Sequence, residues 1–227
     1  MPPSSQMAMA IEAQAGEQTF RILPLPPTAV QMDYLPLRVS TLSGEKGWAK
    51  ADSARHLDLL DRYDAHACPF GAFLDDQFIG GIRLVLGASP AAIPSGRFLP
   101  ESLQRCGPVG EISRAMVHPK ARNCGVFTVL FLRCLMEAAG KNIPDVFITV
   151  VDSPRIRRFL ERHGFELLGL PFWYEDDAVA PKDPTVLFYR RLGTVRGSVI
   201  NVITELQPAC DGAVRQLVYG KASNIKG

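Results

Sequence analysis

The stretch from Gly110 to Gly125 restricts the fold more than any other part of this chain. Glu111 to Val117 alternates charged and apolar residues, as a strand with one wet face does, and His118-Pro119 closes it because proline cannot donate to a sheet ladder. The turn Arg122-Asn-Cys-Gly125 follows. Val126 to Ala139 is then apolar at most positions and free of Gly and Pro, with room for about four helical turns. The unit reads as strand, basic glycine-containing turn, helix. The first N–H groups of such a helix have no partner within it and point outward, so a phosphate can be held there with Arg122 or Lys120 adding charge. A bare helix N-terminus is the competing reading, because Arg-x-x-Gly recurs by chance.

The flanking segments supply the rest of an α/β pattern. Gln18 to Leu23 alternates and reads as a strand, ended by Pro24-Leu-Pro-Pro27. Thr28 to Leu42 reads as a helix that Pro36 breaks or kinks, and Ser53 to Leu60 as a short helix capped by Ser53. Phe70 to Leu74 and Gln77 to Leu86 form a hairpin around Asp75-Asp76, with Gly80-Gly81 marking a bulge or a close approach. The Ser-, Pro- and Gly-rich segment Gly87 to Gly107 is long for a connector and reads as a functional loop. Asp145 to Val151 is β-branched and apolar, as a strand buried on both faces should be. Ser153-Pro154 opens a helix that runs through Arg155 to His163 and stops at Gly164, which makes His163 a helix-terminal residue facing the last carbonyls rather than a base. Phe165 to Tyr174 and Thr185 to Leu192 are two further strands around an acidic loop. In the tail, Ser198 to Leu206 reads as a strand and Gly212 to Val218 as a short helix. A hairpin feeding two parallel crossover units predicts a mixed central sheet with helices on both faces.

Composition narrows the function classes. A net charge of +2 without a Lys/Arg cluster argues against nucleic acid and anionic membranes. Five scattered cysteines, with no Cys-x-x-Cys pair, argue against a disulfide framework and a zinc site. The expectation is a soluble, cytoplasmic protein with no metal, a disordered extension over residues 1–16 and a single domain over residues 17–227, as a monomer or weak dimer.

Glu111-Ile-Ser-Arg114 on a strand, Arg-x-x-Gly opening a helix, and Phe159-Leu-Glu-Arg-His-Gly-Phe165 together resemble the GNAT acyltransferase superfamily. The resemblance implies a GNAT-like three-layer sandwich whose turn, from Val117 through Arg122, Asn123, Cys124 and Gly125 to Val126, cradles the pyrophosphate of coenzyme A or the phosphopantetheine of an acyl carrier protein. Over Leu37 to Val117 a narrower likeness holds. Arg38, Trp48, Asp61, Asp64, Arg83, Glu111 and Arg114 fall in the order, and near the spacings, of the acyl-homoserine-lactone synthases, the autoinducer synthases of quorum sensing. Leu42 stands where that family carries Phe. The likeness implies S-adenosylmethionine as the amine substrate, with Arg38 and Trp48 in its pocket. It makes Asp61, Asp64, Arg83, Glu111 and Arg114 the polar cluster of the site, with Ser113 beside them.

Acyl transfer from a thioester asks for such groups. The leaving group is already good, so the enzyme must deprotonate an ammonium, hold the amine near the carbonyl and stabilise an oxyanion. Glu111 takes the proton directly or through water, and N–H groups of a bulge around Arg114 to Met116 serve the oxyanion. Carboxylates and the Trp48 face suit a sulfonium. An acyl pocket is expected between the central strand and Val146 to Val151, lined by Met116, Phe127, Phe147 and Thr149. The donor is acyl-CoA or an acyl carrier protein, with no tightly bound cofactor. Two alternatives stand beside this reading: an N-acyl amino acid synthase that acylates a free amino acid, and a non-catalytic acyl-CoA or carrier-protein binding module. The charged pairs at three-residue spacing also read as ion pairs that tie a loop to a sheet.

Overall fold

The computed structural model describes residues 11–15, 18–50, 60–175, 179–192 and 216–219. Nine strands join in one sheet: β1 (Ile11–Ala15), β2 (Gln18–Pro24), β3 (Ala67–Leu74), β4 (Gln77–Gly87), β5 (Val109–Val117), β6 (Asp145–Val151), β7 (Glu166–Phe172), β8 (Thr185–Arg191) and β9 (Gln216–Tyr219), in the order β7-β8-β6-β5-β4-β3-β2-β1-β9. β5 and β6 are parallel and the other neighbours antiparallel. A parallel pair needs a long crossover, and helix α3 (Val126–Gly140) provides it. The expected mixed sheet is therefore present.

Alternation along the strands divides two cores. Ile82, Leu84, Ile112 and Ile148 point to one face, where α3 and α4 (Pro154–Arg162) cover them with Val129, Leu130, Phe131 and Leu160. Val85, Val109 and Phe147 point to the other, packing on Ile93 and Leu99 of the 88–107 loop. A helical run over residues 27–45 covers that second face further along, through Tyr34, Leu37 and Met116. This is the α/β three-layer arrangement of the GNAT fold, with helices on both faces.

The 27–45 run does not break at Pro36. It comprises α1 (Pro27–Ala29), a π-helical stretch Val30–Tyr34, α2 (Leu35–Val39) and a second π-helical stretch Ser40–Glu45. Leu35 N–H bonds to Val30 O, five residues back, so the wider turn absorbs the proline just ahead of its ring. The hairpin turn is as expected: Asp75 and Asp76 take φ 47° and 63°, the left-handed pair of a tight two-residue loop. His163 also stands where it was placed, with Nδ1 2.7 Å from Phe159 O at the end of α4.

Two expectations are corrected at the sheet edge. Ile11–Ala15 belong to a strand paired with β2 and not to an extension running to Gly16, and Gln216–Tyr219 pair with β1 where a helix was expected. Pairing supplies partners for backbone groups that an edge leaves open, which local propensity does not register. The helix expected at Ser53 to Leu60 lies, over residues 53–59, outside the described residues, as does the strand Ser198 to Leu206. No described helix is long and apolar enough to cross a membrane.

Candidate active site

Two irregularities in β5 open the sheet. Gly81 faces Met116 and Arg83 faces Ser113, so Arg114 and Ala115 together oppose Ile82 in a β-bulge, with Arg114 at φ 52°. Pairing of β5 with β6 stops at Ile112–Ile148, although the strands continue to Val117 and Val151. Beyond this point they part. Tyr34 fixes the bulge, donating its hydroxyl to Arg114 O at 2.8 Å, and its ring lies so close to Gly81 that a β-carbon there would stand 2.5 Å from it. Gly81 is thus a close approach, one of the two readings its sequence allowed.

The gap holds a cleft of about 310 Å³, walled by Glu111 to Met116 on β5 and Ile148 to Val151 on β6. Trp48, Met116, Phe127, Thr149 and Ser113 line it. Phe147 does not. It shares a face of β6 with Thr149 but lies where the strand is still paired, opposite Glu111, and packs into the core with Val85, Ile93 and Leu187.

Glu111 sits at the closed end with 1% of its surface exposed. Burial raises its pKa to about 7, opposed by the Ser95 peptide N–H, which donates to Oε2 at 2.7 Å, and by the Arg83 charge. The hydroxyls of Ser95 and Thr149 lie close enough to favour the ionised form, yet neither meets hydrogen-bonding geometry. A carboxyl poised near neutrality on a cleft wall has the properties of a general base.

The other acidic residues are arranged differently. Arg83 donates to Asp61 through both terminal nitrogens at 2.8 Å and to Asp64 at 2.5 Å; Arg38 reaches Asp64 at 3.0 Å and Asp61 at 3.3 Å; Arg114 reaches Asp61 at 3.1 Å. Arg83 Nε donates to Ser113 Oγ at 3.0 Å. Burial alone would lift the Asp61 pKa; hydrogen bonds and charge from Arg83, then Arg114 and Arg38, hold it well below the usual carboxylate range. The spaced pairs of the sequence are therefore brought together, as one buried ion-pair network. Arg38, with no exposed surface, is inside that network and does not line the cleft.

The α3 turn forms a second cleft of about 450 Å³, bounded by Val117, Arg122, Asn123, Gly125 and Val126. It shares Phe127 and Ile156 with the first. Gly125, at φ 78°, leads into α3 without a side-chain cap, which leaves the first helical N–H groups to a ligand. Arg122 is not idle there: it donates to Val117 O at 3.1 Å and forms a two-point ion pair with Glu45. Cys124 keeps its thiol on Arg122 O at 3.6 Å.

Several residues of the site escaped the sequence reading. Ser95 was inside a loop singled out for its Gly, Ser and Pro content, but nothing local aims its peptide at Glu111. Arg155, donating to Asn123 at 2.9 Å, and Arg162 line the second cleft from α4; the signal was an arginine-rich helix following β6. Lys46, Tyr174, Val179 and Pro181 complete the first cleft. Among the described residues no cluster of His, Cys, Asp and Glu is placed to hold a metal ion.

Comparison with solved structures gives this fold repeatedly. FeeM, an N-acyl amino acid synthase from uncultured soil microbes, superposes with a TM-score of 0.58 at 18% identity over 84% of this chain and 95% of its own. Mycobacterium smegmatis RimJ in complex with CoA-disulfide gives 0.57 at 13% over 87% and 94%. The CoA-dependent acyl-homoserine lactone synthase BjaI, with SAM and isopentyl-CoA, gives 0.51 at 19% over 80% and 83%. No curated protein sequence matches. The profile of the N-acyl amino acid synthase FeeM matches residues 44–192, a span that holds the bulged strand, Glu111 and the turn that leads into α3, and the chain belongs to that family of GNAT-type acyltransferases.

Proposed function

We propose that this protein transfers an acyl group from a thioester to the amine of a free amino acid. The observation that carries the reading is Glu111, buried at the end of a cleft that opens where β5 and β6 part and that shares a wall with the uncapped start of α3. Family membership supports the amino-acid acceptor over S-adenosylmethionine, which the spacing of Arg38, Trp48 and the acidic residues had suggested first.

The donor's phosphate, from coenzyme A or a carrier's phosphopantetheine, rests on the α3 N–H groups, with Arg155 and Arg162 nearby, and its thioester arm runs between the strands. Glu111 removes a proton from the ammonium. The neutral amine attacks the thioester carbon, N–H groups of the Arg114–Met116 bulge hold the oxyanion, and the C–S bond breaks to leave a thiol and an amide. The amino acid's carboxylate finds Lys46 and Arg114 on the same cleft, and its side chain the faces of Trp48 and Tyr174.

Purified protein supplied with an acyl thioester and amino acids should release thiol and form N-acyl amino acids, measured by a thiol reagent and mass spectrometry. Methylthioadenosine formed only when S-adenosylmethionine is the acceptor would restore the homoserine-lactone reading. Thioester binding without thiol release would point to a binding module.

A further inference from the structure

The segment over residues 88–107 touches the reaction site at one point. It leaves β4 at Gly87, folds into three short 3-10 turns, Pro90–Ala92, Gly96–Phe98 and Glu101–Leu103, and packs Ile93 and Leu99 under the sheet. Between the first two turns Gly96 N–H closes onto Ile93 O at 3.1 Å, which aims the preceding peptide N–H, that of Ser95, at Glu111 Oε2. Ser95 is completely buried and its hydroxyl has no hydrogen-bond partner. The contact is therefore made by the backbone, and the shape of the loop matters more than the side chain that carries it.

Two features hold that shape. A β-carbon on Gly96 would stand 1.8 Å from Pro90 O and 2.6 Å from its carbonyl carbon, so no side chain fits without moving the loop. Gln104 braces the following turn from outside, donating Nε2 to Gly96 O at 3.1 Å and to Leu99 O at 2.8 Å. Neither residue lines the cleft that holds Glu111.

We infer that the 88–107 loop is a positioning element for the base, in which Gly96 and Gln104 hold the Ser95 N–H on Glu111 so that its carboxylate is oriented to the cleft and favoured in its ionised form. The inference rests on Glu111 acting as the base. The charge that acts on this carboxyl is Arg83 from β4, itself carrying Asp61 and Asp64, and hydroxyls of Ser95 and Thr149 lie near it; Arg114 from β5 and Lys46 line the same cleft. The loop's peptide is the one donor within hydrogen-bond reach that a change away from the cleft can withdraw. An N–H bonded to the charged form of an acid lowers its pKa, so withdrawing it moves ionisation to higher pH.

The test compares pH profiles of kcat for the full-length protein and for Gly96→Ala, Gln104→Ala and Ser95→Ala. Gly96→Ala should move the acid limb up by about one pH unit, which lowers the rate roughly tenfold at pH 6 and little at pH 9, with donor KM unchanged. Gln104→Ala, at an exposed position, should move it the same way by a few tenths of a unit, and decides the matter if Gly96→Ala does not fold. Ser95→Ala, which keeps the N–H, should move it least. Coincident profiles for wild type, Gly96→Ala and Gln104→Ala would overturn the inference, as would a larger shift in Ser95→Ala than in Gly96→Ala. The protonated-carboxyl infrared band that Glu111→Gln removes, titrated without substrate, should shift in the same order. If Glu111→Gln still turns over, the base assignment fails, while the infrared titration continues to test the loop.

Discussion

Asp61 and Glu111 are both carboxylic acids buried in the same face of the sheet, and their surroundings set them to opposite tasks. Three guanidiniums meet Asp61, so its charge is permanent and its hydrogen bonds are consumed by structure. Glu111 accepts one peptide N–H and has the Arg83 charge nearby, and burial outweighs both, so its pKa is raised to about 7. Burial alone does not mark a reactive carboxyl; the ratio of burial to compensating charge does. Where compensation wins, the acid organises the fold, and where burial wins, it can exchange a proton.

The largest effect should come from unpairing the network. Asp61→Ala leaves Arg38 and Arg83, both essentially without exposed surface, short of an anion, and should destabilise the fold by about 3–5 kcal/mol in denaturant unfolding. A loss under 1 kcal/mol would mean that Asp61 and Glu111 are less different than their contacts imply.

Glu111→Gln should separate stability from activity. It keeps an oxygen for the Ser95 N–H, so the fold should survive while thiol release falls by ~10²-fold or more. Its effect on stability should depend on pH. The folded-state pKa of Glu111 lies above its unfolded value, so native protein binds more protons between about 4.5 and 7 and loses stability as pH rises through that window. At pH 8 the variant should be more stable than wild type by about 3 kcal/mol, and near pH 4 the advantage should vanish. Asp61 acts with the opposite sign: its folded pKa is depressed, so the stability it adds is present above the unfolded value near 4 and is lost as pH falls below it. In the wild type, the acid limb of kcat should fall near pH 7.

The smallest expected effect lies at the surface. Glu45 and Arg122 are partly exposed, and Glu45→Gln should change stability by only a few tenths of a kcal/mol. Because it frees Arg122 for a phosphate, it should lower donor KM about twofold, whereas Arg122→Ala should raise it several-fold. Equal KM values in all three proteins would remove Arg122 from the donor site.

Local chemistry made much of this legible. Asp75-Asp76 demands a two-residue turn, Ser153-Pro154 a helix start, and Glu111 to Val126 a strand, turn and helix, because each pattern states a short-range requirement that few backbones meet. Arg38, Asp61, Asp64, Arg83 and Arg114 were read as a set through the resemblance to acyl-homoserine-lactone synthases, and in the fold they form one ion-pair network. Their division of labour was not legible. Arg38 read as a substrate contact and lies sealed behind Asp61 and Asp64; Phe147 read as pocket wall and lies in the core, since how far along a strand a cavity begins depends on where its neighbour departs. Ser95 was illegible because a peptide N–H has no identity in a sequence.

What the chain's own residues determined was the alternation of strands and helices, the glycine turn into α3 and the presence of an acid on the central strand, all consequences of backbone propensity and side-chain type within a dozen residues. Tertiary structure alone decided how the two acids are compensated. That difference follows from distances between segments far apart in sequence: three arginines converge on Asp61, while one loop peptide and a parting of two strands leave Glu111 buried beside an open cleft with its pKa raised.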